Sequence, residues 1–421
     1  MPVPVLLIVI GSRAEAYACA PLLRHIRSFP RHSLPFETRL LSSGQEATEL
    51  DQALQYLDLE ADAALETKKP HLADARLDSV LLEEMERAIR HHAPSAVLVA
   101  GCSATSWAVI VSAYFKQVPV IHVGAGDFPV EGHRPFPDWM HRTTISQMAS
   151  LHLCADDAIA DGLQEMLAGD TSDLGLSRFR GDAFETMDTI RQDASPSEYL
   201  PRHACIAAIG NPSDDVLAES LERARDMEPD PTVRKVEPES PRVVAFMRRR
   251  EHHANALRPF CQAWGELAKE KPDTSFVVMH SLQSFICDAL AALIPRDKNI
   301  RDISPLPHPA FVRELSRARL VVTDSIGVAR EALLLKRPLL IVGAYSQTQS
   351  IQKLAEKQET PRRICPMDRQ AIVDTIEAML DEENSPETVT SLSAQNTGEK
   401  SLAAILAWWK RFDIEHIRVN S

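Results

Sequence analysis

The chain has no CxxC pair, no histidine at zinc spacing from a cysteine, and no apolar run of the 18 or so residues a membrane span requires. The first two absences argue against a zinc site or a thiol redox motif, so no metal and no cofactor is expected; the third leaves no membrane-spanning helix. Cations are also in deficit: 46 Lys and Arg stand against 59 Asp and Glu, a formal charge of −13. A nucleic-acid partner is therefore not expected, because phosphate binding rests on clustered Lys and Arg. The run Arg248-Arg249-Arg250 is the one local exception. The apolar start, Met1 to Ile10, lacks the basic flank and small-residue cleavage site of a signal peptide. The seven scattered cysteines, Cys19, Cys102, Cys154, Cys205, Cys261, Cys287 and Cys365, read as buried or incidental thiols of a reduced compartment. A cytoplasmic protein is expected.

What is present is a long alternation of strands and helices. With 421 residues, 44% of them hydrophobic, the chain can bury a large core and should divide into two or more domains. Val3–Ile10 is a continuous apolar run ended by Gly11-Ser12-Arg13, and residues 14–28 carry helical spacing. Strands follow at 37–42, 96–100 and 118–123, with helices at 80–92 and 103–115. Continuous apolar strands between helices indicate a parallel sheet covered on both faces. Residues 1–190 read as a first Rossmann-like domain. Residues 191–240, rich in proline and acid, read as a linker or insertion in which 215–227 could form one exposed helix. The alternation restarts at Arg242, and 241–398 reads as a second α/β domain, which makes the cleft between the two the expected active site. A last helix at 399–412, carrying Trp408 and Trp409, has an apolar face expected to pack back on the first domain.

Ionisable groups crowd one stretch, Ile121–Arg142, where His122, Asp127, Glu131, His133, Asp138 and His141 follow a strand end and are punctuated by Gly124, Gly126 and Gly132. Loops after the carboxyl ends of parallel strands are where ligands bind in such sheets. Each group also has a plainer role open to it. His122 can be a satisfied structural histidine, Asp138 a first-turn residue after Pro137, and Glu131 and His133 solvated loop residues. Cys102 reads as packing rather than as a nucleophile, since nothing in the sequence sets a base beside it. Further on, Thr323-Asp324-Ser325-Ile326-Gly327 joins a strand to the helix bearing Glu331, which suits either an anion site or an ordinary cap.

Taken in order, GSRAE (Gly11–Glu15), SSGQ (Ser42–Gln45), HVGAG (His122–Gly126), PFPD…HR (Pro135–Arg142), RRE (Arg249–Glu251), SPLPHPAFV (Ser304–Val312), TDSIG…REA (Thr323–Ala332) and KRPLL (Lys336–Leu340) resemble the bacterial UDP-N-acetylglucosamine 2-epimerase family, from about Val3 to Trp409. The resemblance implies a GT-B fold of two doubly wound, Rossmann-like domains, a UDP-sugar in the cleft, and a homodimer. It places a nucleotide site on Arg13, His122, Arg248, Arg249, Ser325, Ile326, Gly327 and Glu331, with Ser325 and Gly327 on the diphosphate and Glu331 on the ribose hydroxyls. The family removes a proton at sugar C2, expels UDP to a glycal and re-adds it or hydrolyses. Its acid and base positions fall on Cys102, Gly124, Asp138 and Arg248, of which only Asp138 keeps an ionisable acid. Three readings follow: a UDP-sugar enzyme whose acid and base work has moved to Asp138, Asp127, Glu131 or His133; a glycosyltransferase on the same fold; or a nucleotide-sugar binder without turnover.

Overall fold

The computed structural model of the chain describes residues 3–30, 32–65, 74–128, 138–170, 175–181, 183–186, 203–228, 240–248, 254–280, 284–343, 348–382 and 389–412. These residues divide into two compact units, one formed up to Phe128, then to Val216 and again from Ala394 onward, the other by Leu217–Ser393.

In the first unit the elements run β1 (Val5–Ile10), α1 (Arg13–Arg27), β2 (Glu37–Ser42), α2 (Ala47–Leu57), β3 (Ala63–Ala64), α3 (Asp74–His92), β4 (Ala96–Ala100) and α4 (Ala104–Phe115). They continue as β5 (Val120–Ala125), α5 (Asp138–Met148), β6 (Leu151–Cys154), α6 (Asp157–Asp170), β7 (Gly175–Arg180), β8 (Ala183–Thr186) and β9 (His203–Ala208), after which α7 (Pro212–Asp226) starts in this unit and belongs to the second from Leu217. The nine strands order as β3-β2-β1-β4-β5-β6-β9-β7-β8, parallel except where β8 returns along β7. Alternation along β1 explains the two-sided cover: Leu6, Ile8 and Ile10 enter one core, Leu7 and Val9 the other. Winding starts at β1 and runs outward to β2 and β3, then restarts at β4 in the opposite direction. The carboxyl ends of β1 and β4 therefore flank a topological switch point, the position where open α/β sheets take their ligands.

The second unit repeats the plan on a smaller scale. Its elements are β10 (Arg242–Phe246), a 3-10 turn (Ala254–Leu257), α8 (Arg258–Glu270), β11 (Ser275–Met279), α9 (Ser284–Leu293), β12 (Ile300–Ile303), α10 (His308–Ser316) and β13 (Leu320–Thr323). After these come α11 (Ile326–Leu334), β14 (Leu339–Val342), α12 (Gln349–Gln358), β15 (Arg362–Cys365) and α13 (Arg369–Asp381). The all-parallel order β12-β11-β10-β13-β14-β15 sets the switch point between β10 and β13. Val243, Ala245 and Met247 face one core and Val244 and Phe246 the other.

Helix α14 (Thr397–Arg411) belongs to the first unit. Its Trp408 and Trp409 are buried with Tyr17, Leu22 and Leu23, and the Trp409 ring lies 4.6 Å from that of Phe36. Gly398 permits this packing, for a β-carbon there would stand 2.3 Å from the Pro21 carbonyl oxygen of α1. Asp215 of α7 fixes the start of α14 by accepting from the backbone N–H of Gln395 (2.5 Å) and Thr397 (2.8 Å) and from the Thr397 hydroxyl (2.6 Å).

The 191–240 segment differs from its reading as a linker. His203–Ala208 is a buried strand paired in parallel with β6, and α7 is not an exposed helix: Val216, Leu217 and Leu221 are buried. The short run His-Ala-Cys-Ile-Ala-Ala lies among prolines, which conceal a strand whose support is entirely tertiary. The remaining residues of that segment, 191–202 and 229–239, lie outside the described residues. Among the described residues no helix is long and apolar enough to cross a membrane.

Candidate active site

At the first unit's switch point, β1 ends in Gly11. A β-carbon there would come within 2.3 Å of Thr105 Oγ1 and 2.4 Å of Ser43 Oγ, so only glycine lets the ends of β2 and α4 close around it. Ser12 then caps α1: its hydroxyl accepts from Glu15 N–H (3.4 Å), while Glu15 Oε2 accepts from the N–H groups of Gly11 (2.5 Å) and Ser12 (3.1 Å). This is a capping box, formed because the side chains at cap and third position satisfy each other's free donors. Burial pushes the Glu15 carboxyl up to about 7, against the lowering effect of hydrogen bonds from Ser103, Gly11 and Ser12. Arg13 opens the helix beside it.

The next loop, after β4, carries Cys102 and Ser103. Ser103 caps α4 through Ser106 N–H (3.1 Å), and Gln45 Oε1 takes the hydroxyl of Thr105 (2.7 Å). The Arg142 guanidinium donates to Cys102 Sγ over 3.1 Å. Burial nevertheless pushes that thiol up to about 11, with Asp138 and Glu15 adding to the rise, so Cys102 is a thiol rather than a thiolate. Arg142 is half-buried, and its desolvation works against its charge, but Cys102, Asp127 and Asp138 outweigh that and hold it above its ordinary value. Asp127 and Asp138 thus both act on one guanidinium, and Asp138 acts on the thiol as well. Glu131 and His133, named with them from the sequence, lie outside the described residues.

His122 is one of the residues that the resemblance assigns to the nucleotide site. It is fully buried within β5, its Nε2–H donates to Gly101 O (2.7 Å), and burial pushes its imidazole down to about 3. Burial thus keeps the imidazole neutral, and its Nδ1 has no hydrogen-bond partner among the described residues. Two residues on, β5 bulges against β6, and Gly124 adopts φ +77°. A β-carbon at Gly124 would meet only Gly101 N, at 3.9 Å.

At the second unit's switch point, Asp324 is buried and accepts the backbone N–H of Arg248 (2.7 Å), tying the β10 loop to the β13 loop. Thr323 repeats the tie through its hydroxyl to Phe246 O (2.7 Å). Ser325 caps α11 at Val328 N–H (3.5 Å), so Ile326 and Gly327 form the opening turn, and a β-carbon on the exposed Gly327 would have only Ser325 Oγ, 3.9 Å away, within reach. One turn along, Glu331 Oε1 lies 3.0 Å from His308 Nε2, and His308 Nδ1 lies 2.7 Å from Ser220 Oγ. The other oxygen, Oε2, has no hydrogen-bond partner among the described residues. Arg249 lies outside them.

A family model described as UDP-N-acetylglucosamine 2-epimerase matches residues 30–172 and 197–407. The chain belongs to the UDP-N-acetylglucosamine 2-epimerase family. It is 24% identical to the UDP-N-acetylglucosamine 2-epimerase of Salmonella typhimurium over 412 residues, covering 97% of this chain and 99% of that one. It is also 24% identical to the Escherichia coli O157:H7 enzyme of that name, over 91% of this chain and 92% of that one. Among solved structures, UDP-GlcNAc 2-epimerase from Neisseria meningitidis bound to UDP-GlcNAc superposes with a TM-score of 0.71 at 20% identity, over 96% of this chain and all of that one. The Methanocaldococcus jannaschii UDP-GlcNAc 2-epimerase in complex with UDP-GlcNAc and UDP gives 0.72 at 17% identity, covering 96% and 99%. At these identities the structural likeness carries the fold, GT-B.

For this member of the UDP-N-acetylglucosamine 2-epimerase family, the residues named from sequence separate by unit. Arg13, Asp127 and Asp138 lie with the first; Arg248, Ser325, Ile326, Gly327 and Glu331 lie with the second. Four supporting residues were missed. His308 and Asp324 sit inside motifs that carried the resemblance, but their partners are 23 and 76 positions away. The S-x-x-E spacing of Ser12 and Glu15 signals a cap and gives no sign of the depth of burial.

Proposed function

We propose that the chain binds a UDP-sugar and acts at sugar C1 and C2, by epimerisation or UDP-releasing hydrolysis, with acid and base groups altered from those of its relatives. The observation that carries this reading is Glu331. Its carboxylate is oriented by a buried histidine, which is in turn held by Ser220, and its second oxygen is left as an acceptor one turn beyond the Ser325-Ile326-Gly327 helix start. A carboxylate so fixed suits the two hydroxyls of a ribose, and the free N–H groups of Ile326 and Gly327 suit a diphosphate. Relatives solved with UDP-GlcNAc support the same ligand class.

For the chemistry, Asp138 is the acid or base of choice. It opens α5, it acts on Cys102 and Arg142, and it is the one ionisable acid at the family's four positions. Incubation with UDP-N-acetylglucosamine, followed by NMR, should yield a C2 epimer or free UDP. Asp138→Asn should abolish that turnover while leaving UDP affinity within a few-fold; unchanged turnover would remove Asp138 from the role.

A second reading, binding without turnover, is favoured by Cys102 and Gly124. The thiol at about 11 and the absent side chain take proton transfer away from two positions. Binding with an unchanged sugar after long incubation would select it.

A further inference from the structure

The hydrogen bonds that orient Glu331 do not end at His308. They lead through Ser220 onto α7, the helix by which the chain enters the second unit. Glu331 Oε1 accepts from His308 Nε2–H (3.0 Å), which leaves Nδ1 to accept the Ser220 hydroxyl (2.7 Å). Ser220 is fully buried and His308 is 5% exposed, so neither can exchange its partner for water. Breaking either bond would strand a desolvated polar group, and the two bonds are therefore kept together.

Packing joins the same helices. Leu217 and Leu221 of α7 share one core with Phe311 and Val312 of α10 and with Val328, Ala329 and Ala332 of α11. The His308 ring, at the start of α10, lies nearly parallel to that of Phe311, 6.3 Å away. Further along α10, the Arg313 guanidinium donates to Met227 O, just past the end of α7. The first turn of α7 is held differently, for Asp214 and Asp215 belong to the first unit and are bonded there to Gln395 and Thr397. Glu331 is the open end of this bonded group. Its Oε2 has no hydrogen-bond partner among the described residues, so a donor from a ligand would complete it.

We propose that occupancy of the Glu331 site is relayed by His308 and Ser220 to α7, so that a nucleotide held on the second unit orders the helix through which the chain enters that unit. The inference rests on the nucleotide-sugar reading above and concerns only its nucleotide end. A hydroxyl hydrogen donated to Oε2 fixes the Glu331 side chain, and a fixed Glu331 holds the imidazole, and with it the Ser220 hydroxyl, in place. The coupling is one of order rather than of displacement, and its observable is the exchange of α7 amide hydrogens.

The test is hydrogen exchange read by mass spectrometry on the full chain, with and without UDP. With UDP at about a hundred times its Kd, openings that cost the ligand its site slow about a hundredfold. Amides of 217–226 and of α11 should therefore slow by at least about tenfold. Those of α13, whose Ile372, Val373 and Ile376 lie with Trp264 in the other core of the second unit, should change by less than about twofold. In Ser220→Ala, with UDP scaled to that variant's own Kd, the slowing of α11 should persist and that of α7 should fall to within about twofold. If the variant does not fold, the contrast between α7 and α13 in the unmodified protein decides. Equal slowing of α7 and α13, slowing of α11 without α7, or slowing of α7 that survives Ser220→Ala overturns the relay. Absence of UDP binding overturns the nucleotide-sugar reading, and the relay with it.

Discussion

The Arg142 guanidinium donates to Cys102 Sγ over 3.1 Å, and the thiol it touches is still a weak acid. A cation beside a cysteine ordinarily lowers its pKa. Here burial outweighs the guanidinium, which is itself engaged by Asp127 and Asp138.

Cys102 should therefore be slow toward thiol reagents. A shift from 9.0 to about 11 lowers its thiolate fraction about a hundredfold near neutral pH. Alkylation at Cys102, followed by mass spectrometry, should rise steeply only above pH 10. Labelling at the rate of an exposed thiol at pH 8 would mean that the Arg142 charge prevails.

The His308–Glu331 pair leads to a second expectation. His308→Ala removes the group that orients the carboxylate and leaves Glu331 and Ser220 without it. Loss of one buried partner of this kind costs about 1–3 kcal/mol, or roughly five- to 150-fold in UDP affinity. Calorimetric titration of the variant checks this, and affinity within twofold of the unmodified protein would dissociate the pair from nucleotide binding.

Asp215 makes a prediction about stability alone. It accepts three hydrogen bonds at the start of α14, so Asp215→Ala should release that helix at a cost of about 2–3 kcal/mol. Trp408 and Trp409 report directly on the release, because both are buried in the first unit's core. Their fluorescence should shift to the red at lower urea concentration, and an unchanged midpoint would show that apolar packing alone secures α14.

How far these relationships were legible beforehand depends on the range of the interaction that forms them. β1, β4 and β13 stand where continuous apolar runs place them, because a strand buried on both faces needs no pattern finer than hydrophobicity. β9 has similar burial but lies among prolines, and its parallel pairing with β6 and β7 identifies it. In the candidate site, Glu331 and Ser325 were marked by ordered motifs. The Asp324 tie to Arg248 spans 76 residues and leaves no local trace. Polarity at a strand end left His122 open to either a ligand or a structural role, and its partner, Gly101 O, lies on the neighbouring loop, out of reach of any local pattern.

The burial of Glu15 sets how stability varies with pH. The folded chain holds this proton up to about 7, whereas an unfolded carboxyl releases it near 4.5. Between those values the folded state binds more protons, so its stability falls as pH rises and levels off above about 7. At about 1.4 kcal/mol per unit, the fall attributable to Glu15 is on the order of 3 kcal/mol. His122 and His152 act in the opposite direction. Burial pushes them down to about 3 and about 4, so their contribution is present above 6.5 and is lost as the solution is acidified. The raw curve should therefore be a dome. Subtracting the curve of Glu15→Gln removes the histidines, and the difference should descend steadily from pH 4.5 to 7. A flat difference would mean that Glu15 is ionised in the folded protein and that its capping bonds outweigh its burial.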